Sequence, residues 1–194
     1  MNSAELLAEF DAYERALRQQ HLEHVRRLGL LEGIAQVGQH QPPAGMAHIR
    51  TLPNALWEPD DAGTAAMILP VCRWTVFDAF GIEIETPELV DLIAFRTSSP
   101  ASWLWRTGTG WALGEDQLIF PNGDPLLLVS TPLEWLRAGG TAVCLLDWSA
   151  SSPAWAHLLT SGELLTDTPH LAARIDRALR QSIRLPRVEV AHAA

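Results

Sequence analysis

Hydroxyls at Ser130 and Thr131 follow one apolar run of the chain, Asp147 follows a second in "LLDWS", and Asp167 follows a third in "ELLT". Side chains that close successive strands of an open parallel sheet face a common crevice, so these four are candidates for holding a phosphate, a nucleotide or a metal ion. Their chemistry is limited by charge. Magnesium is held through carboxylates and substrate phosphates, and hydroxyl oxygens add no negative charge to offset it. Asp147 and Asp167 would have to supply the whole anionic complement. A structural alternative for Asp147 is that its side chain caps the turn that follows.

A second set lies further on. By the 3.6-residue period, Arg174, Arg177, Arg180 and Arg184 fall on one side of a helix, opposite Leu171, Ile175, Ala178, Leu179 and Ser182. An arginine row can meet phosphates or an acidic partner; it can equally be a solubilising face. "GTGWALG", Gly108 to Gly114, has glycines at a dinucleotide-like spacing, but "FPNGDP" cuts off the long helix that would support a phosphate. These glycines are expected to make tight turns that let Trp105 and Trp111 pack. From Glu58 to Asp91 the chain holds eight acids and one arginine, Arg73, a composition that reads as a solvated face or as a contact for a basic partner. His21 and His24 are three apart on a helix with no third ligand near them, and no nucleophile elbow accompanies His157 or His170.

The elements that position these residues follow from periodicity and punctuation. Leu6, Phe10, Tyr13, Leu17 and then roughly His24 or Val25 repeat at four and three spacings, which predicts one helix from about Ser3, its cap, to Leu28, ended by Gly29 and Gly33. Residues 39–63 carry "QPPAG" and "TLPNALWEPDDAG" and read as an irregular connection pinned by Trp57. Ala66 to Cys72, Leu89 to Arg96 and Ser102 to Arg106 then form a small, mostly antiparallel sheet. After the turn "PNGDP" strands and helices alternate: strands at Leu126 to Val129, Ala142 to Leu146 and Glu163 to Leu165, and helices at Pro132 to Ala138, Pro153 to Leu159 and Pro169 to Ser182. Continuous apolar strands between helices predict a parallel sheet covered on both faces. The fold class expected is α+β: an N-terminal helical element (1–38), an irregular and β-rich part (39–124) and a Rossmann-like α/β unit (125–190).

The order of elements from Leu126 to Ser182 resembles the toprim domain of bacterial primases and topoisomerases, and "VDLIAF" with "WLWRTGTGWALGE" is similar to the region preceding such domains in phage and plasmid primases. In that family a glutamate followed by glycine closes the first strand and an Asp-x-Asp pair closes the third. Here Ser130, Thr131 and Pro132 stand at the first place, and Asp167 matches one acid of the pair while Pro169 occupies the other. The resemblance implies a fold and a nucleic-acid-processing ancestry with the catalytic acids mostly gone. The expected function is therefore a non-catalytic accessory or interaction protein of toprim-like descent, linked to phage or mobile-element DNA replication. The competing expectation is a nucleotide- or phosphate-binding enzyme using Asp147 and Asp167 with the Ser130–Thr131 loop.

Composition narrows the partners. All 14 basic residues are arginine and the net charge is −9, so tight nonspecific nucleic-acid binding by the whole body is excluded and only weak contact is left open. Cys72 and Cys144 have neither disulfide density nor metal spacing, no charged-then-apolar leader opens the chain, and no apolar run approaches the ~20 residues that span a bilayer. A cytoplasmic protein without a membrane span or cofactor is expected. A protein partner or a second copy would meet it through the N-terminal helix or through exposed members of its eight tryptophans.

Overall fold

In the computed structural model, residues 1–37, 44–79, 82–120 and 125–182 are described, with the backbone alone at 75–79 and 82–86. The chain opens with helix α1 (Ser3–Arg15). Its cap is Asn2 rather than Ser3: the Asn2 side chain accepts from Glu5 N at 2.9 Å and the Asn2 backbone N–H donates back to the Glu5 carboxylate at 2.8 Å, a reciprocal capping box.

The single long helix expected from the apolar spacing is two helices, α1 and α2 (Gln19–Arg27), and a third, α3 (Leu31–Val37), follows beyond its expected end. The break has a packing cause. Leu6 and Phe10 of α1 sit in one hydrophobic cluster with Ile68 and Leu92, while Val25, Leu30 and Val37 sit in another with Leu69 and Ile93. Residues 68 and 69, or 92 and 93, point to opposite faces of a strand. The chain between Ala16 and Arg18 thus carries the helices around the sheet, α1 to one face and α2 and α3 to the other, which a straight helix could not do. Gly33 lies inside α3 rather than ending a helix.

Strands β1 (Gly45–Thr51), β2 (Trp57–Pro59), β3 (Thr64–Ala79), β4 (Ile82–Arg96) and β5 (Ser99–Trp105) form an antiparallel sheet in the order β2-β1-β3-β4-β5. Two of these strands occupy the stretch expected to be irregular. Their signal is weak because β1 buries only its ends of apolar pattern, Gly45 and Ile49. Trp57 anchors the segment: it is fully buried and its indole N–H donates to Leu92 O at 3.2 Å.

A second, mixed sheet has the order β6-β8-β7-β9, from β6 (Ala112–Leu113), β7 (Leu126–Val129), β8 (Val143–Leu145) and β9 (Leu164–Thr166). Strands β7, β8 and β9 are parallel and β6 adds an antiparallel edge. Helices α4 (Glu115–Ile119), α5 (Pro132–Arg137), α6 (Ala154–Thr160) and α7 (Pro169–Ser182) connect and cover them. Val129, Leu133, Trp135 and Cys144 face the first sheet's cluster, and Leu128, Val143, Trp155 and Leu171 make a separate one on the far face. Both faces of this sheet are covered, and the architecture is α+β. Among the described residues no helix is long and apolar enough to cross a membrane.

Candidate functional site

Beyond the carboxyl ends of β7, β8 and β9 stand Ser130, Asp147 and Asp167, the edge that the spacing of apolar runs singles out. Each acid there is held by its own surroundings. One oxygen of Asp167, Oδ2, accepts from Ser130 N at 2.9 Å and from Ser130 Oγ at 2.7 Å, tying the end of β9 to the end of β7. Asp147 accepts from Ser149 N at 2.9 Å and from Ser149 Oγ at 3.0 Å, so its carboxylate closes the turn after β8. The capping alternative for Asp147 is the observed one. Thr131 caps α5, accepting from Glu134 N at 3.2 Å with Pro132 at the first helical position. The edge brings the sequence candidates to one side of the sheet, but each is engaged: Asp147 and Thr131 in local turns, and Ser130 and Asp167 with each other across two strands. Among the described residues no group of three or more His, Cys, Asp or Glu side chains could hold a metal ion.

The arginine row on α7 is similarly occupied. Arg174 lies 3.5 Å above the Trp148 ring, and burial there lowers its pKa. Arg180 makes a two-oxygen pair with Asp176 one turn back, at 3.0 and 2.9 Å, and Arg177 is exposed. Arg184 lies outside the described residues. Replacing Arg174 with alanine is expected to cost about 0.5–1 kcal/mol through the lost stacking, whereas Arg177→Ala should change stability by less than about 0.5 kcal/mol. Urea denaturation followed by tryptophan fluorescence separates the two.

None of the eight tryptophans is exposed, which corrects the expectation of an open tryptophan surface for a partner. Trp57, Trp111, Trp135 and Trp155 are buried, and the rest are partly covered by packing such as the Trp103–Trp105 edge contact at 6.3 Å. The chain has three hydrophobic clusters to fill, and large rings fill them.

One member of the acidic tract is not solvated at all. Asp91 in β4 is fully buried, and five backbone N–H groups converge on it: Leu92, Arg106 and Thr107 on Oδ1 at 2.8, 3.0 and 2.9 Å, and Thr109 and Gly110 on Oδ2 at 2.8 and 2.9 Å. The "RTGTG" loop between β5 and β6 is therefore wrapped around a carboxylate rather than a phosphate. Thr107 and Thr109 add hydroxyl bonds to Val90 O at 3.2 and 2.8 Å. Arg106 leaves that loop to pair with Glu9 of α1 at 2.9 Å, and it lies 5.5 Å from the centre of the Trp57 ring. Tyr13 donates to the same Glu9, and its hydroxyl pKa is raised, first by burial. Asp91 thus positions α1 through Arg106.

Among the described residues there is a cleft of about 540 Å³ that none of the sequence candidates lines. Leu7 and Phe10 of α1, Val37 of α3, Cys72 and Trp74 of β3 and Leu89 of β4 give it apolar walls. Asp116 and Gln117 of α4 and the Gly139–Thr141 turn complete it. Beside it Glu115 is buried at 5 % exposure, accepts from Trp74 N at 3.2 Å, and has its carboxyl pushed up to about 7, chiefly by desolvation. Burial likewise raises the Cys72 thiol to about 11, so it is a neutral wall group. Gly114 precedes α4 at φ +77°, and a Cβ there would stand 2.2 Å from Ala142 O, so only glycine lets α4 start against β8.

His21 and His24 serve local bonds, His21 Nδ1 accepting from Arg18 N at 3.0 Å and His24 Nε2 meeting Thr97 Oγ1 at 2.9 Å. The buried acids Asp91 and Glu115 escape the sequence reading. A signal existed for the first: an acid inside the apolar run "VDLIAF" has to be satisfied by something distant. No protein-family model, curated protein or solved structure matches the chain.

Proposed function

We propose that this chain is a non-catalytic binding module, whose α/β half descends from a toprim-like fold and whose contact site is the cleft between α1, α3, β3, β4 and α4 rather than the strand edge. The observation that carries the reading is the shortage of acids at that edge: Asp167 is tied to Ser130 at the end of β7, Asp147 closes its own turn onto Ser149, and among the described residues no group of three or more His, Cys, Asp or Glu side chains could hold a metal ion. A divalent cation there would meet two carboxylates without a third. The parallel β8-β7-β9 order supports the toprim-like descent, with Ser130 and Asp167 standing where that family places acids. The cleft supports the choice of site, since a concave, largely apolar pocket with a few polar groups is the usual form of a ligand site, at roughly 300–1,000 Å³.

Thermal melts with millimolar magnesium or manganese, alone and with a panel of nucleotides, test the reading. A ligand of the folded form present at about 100 times its Kd adds ~2.7 kcal/mol, which for a domain of this size raises Tm by roughly 5–10 °C. No shift beyond about 1 °C is expected. A rise of several degrees would favour the enzyme reading with Asp147, Asp167 and the Ser130–Thr131 loop, because those residues do share one edge of the sheet.

A further inference from the structure

Beside the cleft is a recess of about 10 Å³, bordered by Gly114, Glu115 and Trp135. Space of that size takes one water-sized group. Pro70, Cys72, Trp74 and Asp116 border both the recess and the cleft, so the two adjoin. Trp135 is 1 % exposed, and its indole N–H has no hydrogen-bond partner. Indole nitrogen can only donate, and a buried donor is nearly always paired. The absent side chain of Gly114 keeps the space before that N–H open, since a Cβ there would stand 3.1 Å from Trp135 Nε1. Glu115 also borders the recess, and among the described residues its carboxyl accepts one bond, from Trp74 N to Oε1.

We infer that the cleft takes a small neutral carboxamide on an apolar body, its carbonyl oxygen entering the recess to accept from Trp135 Nε1 and its N–H donating to the Glu115 carboxyl. This rests on the proposed role of the cleft as the contact site. Charge decides the head group. An anion would face Glu115 and Asp116 with no basic side chain among the residues lining the cleft or the recess. A cation offers nothing for the indole N–H, which donates and cannot accept. A neutral head that both accepts and donates satisfies the two groups together. Leu7, Phe10, Val37 and Leu89 provide the apolar surface for the body.

The test is a titration of the folded, ¹⁵N-labelled chain with hexanamide, hexanoate and hexylammonium near neutral pH, reading the Trp135 indole cross-peak. Hexanamide is expected to move that peak saturably in the millimolar range and to protect Cys72 from a small neutral thiosulfonate, while the two ions do neither. Trp135→Phe, which keeps an aromatic ring and removes the N–H, is expected to weaken hexanamide by at least about tenfold. The Cys72 protection assay on the wild type keeps the proposal testable if that variant does not fold. A Trp135 peak unmoved by hexanamide overturns the inference. Equal response to hexanoate or hexylammonium overturns the carboxamide assignment while leaving the cleft as the contact site, and a magnesium-dependent melt bears on the module reading alone.

Discussion

Replacing Asp91 with alanine is expected to lower the unfolding free energy by about 4–5 kcal/mol, the range for breaking a buried charged network by removing one partner. Four backbone donors, from Leu92, Thr107, Thr109 and Gly110, lose this acceptor together, while the Arg106 N–H keeps its bond to Leu92 O at 2.8 Å. Domains of this kind have roughly 5–15 kcal/mol in total, so the variant should be marginal or unfolded at room temperature. Asp91→Asn keeps one acceptor oxygen but turns an amide NH₂ toward backbone N–H groups, and a smaller loss of about 2–3 kcal/mol is expected. Urea midpoints give both values. Hydrogen exchange supplies a structural check: because Arg106 ties the loop to Glu9, the asparagine variant should lose protection in α1 as well as around 106–110. A midpoint within error of the wild type would show that the loop holds its shape without the carboxylate.

Glu115 is expected to make stability depend on pH in the direction opposite to that of an ion-paired carboxylate. Its folded pKa of about 7 lies above the ordinary 4.5, so between those values the folded chain keeps a proton that the unfolded chain has released. Stability therefore falls as pH rises from about 4.5 to about 7 and levels off above, by at most about 2–3 kcal/mol. Burial is the main cause; Asp116 pushes the same way, while the Trp74 N–H bond and Arg73 oppose it. Glutamine has the shape of the protonated acid and does not titrate. Glu115→Gln should match the wild type near pH 4.5 and exceed it by about 2 kcal/mol near pH 8. Parallel pH profiles for the two proteins would contradict the assignment.

Much of the α/β half was legible because its signals are local. β7 and α7 begin and end where the apolar run Leu126 to Val129 and the stretch from Pro169 to Ser182 place them, each bounded by proline, serine or aspartate. The first sheet was legible in kind and short in extent: β3 and β4 run to 16 and 15 residues, well past the apolar segments that announce them. Their outer halves pair with each other, and the one strand period there, the alternation Ile82-Glu83-Ile84-Glu85, is short. The break between α1 and α2 was hidden because the four-and-three spacing continues across it, while its cause is the position of two faces of a sheet more than 40 residues away.

Residues at the strand edge were found, and the turn cap of Asp147 was one of its two readings, but the tie between Ser130 and Asp167 was not foreseen. Ser130 and Asp167 are 37 residues apart, and only the pairing of β7 with β9 brings them into contact. Asp91 meets its partners 15 to 19 residues downstream, and the cleft draws its walls from helices, strands and turns of all three parts of the chain. Sites assembled from distant segments leave single residues in the sequence without the spacing that motifs depend on.

The most direct test of the central claim is the effect of manganese on the amide spectrum of the ¹⁵N-labelled chain. A paramagnetic ion broadens every resonance near its binding site. The account predicts that the amides of Ser130, Ser149 and Asp167 keep their intensity relative to the rest of the protein at millimolar manganese, because the edge offers two carboxylates and, among the described residues, no third. Selective loss of those three signals at low manganese would place a cation at the strand edge and contradict it.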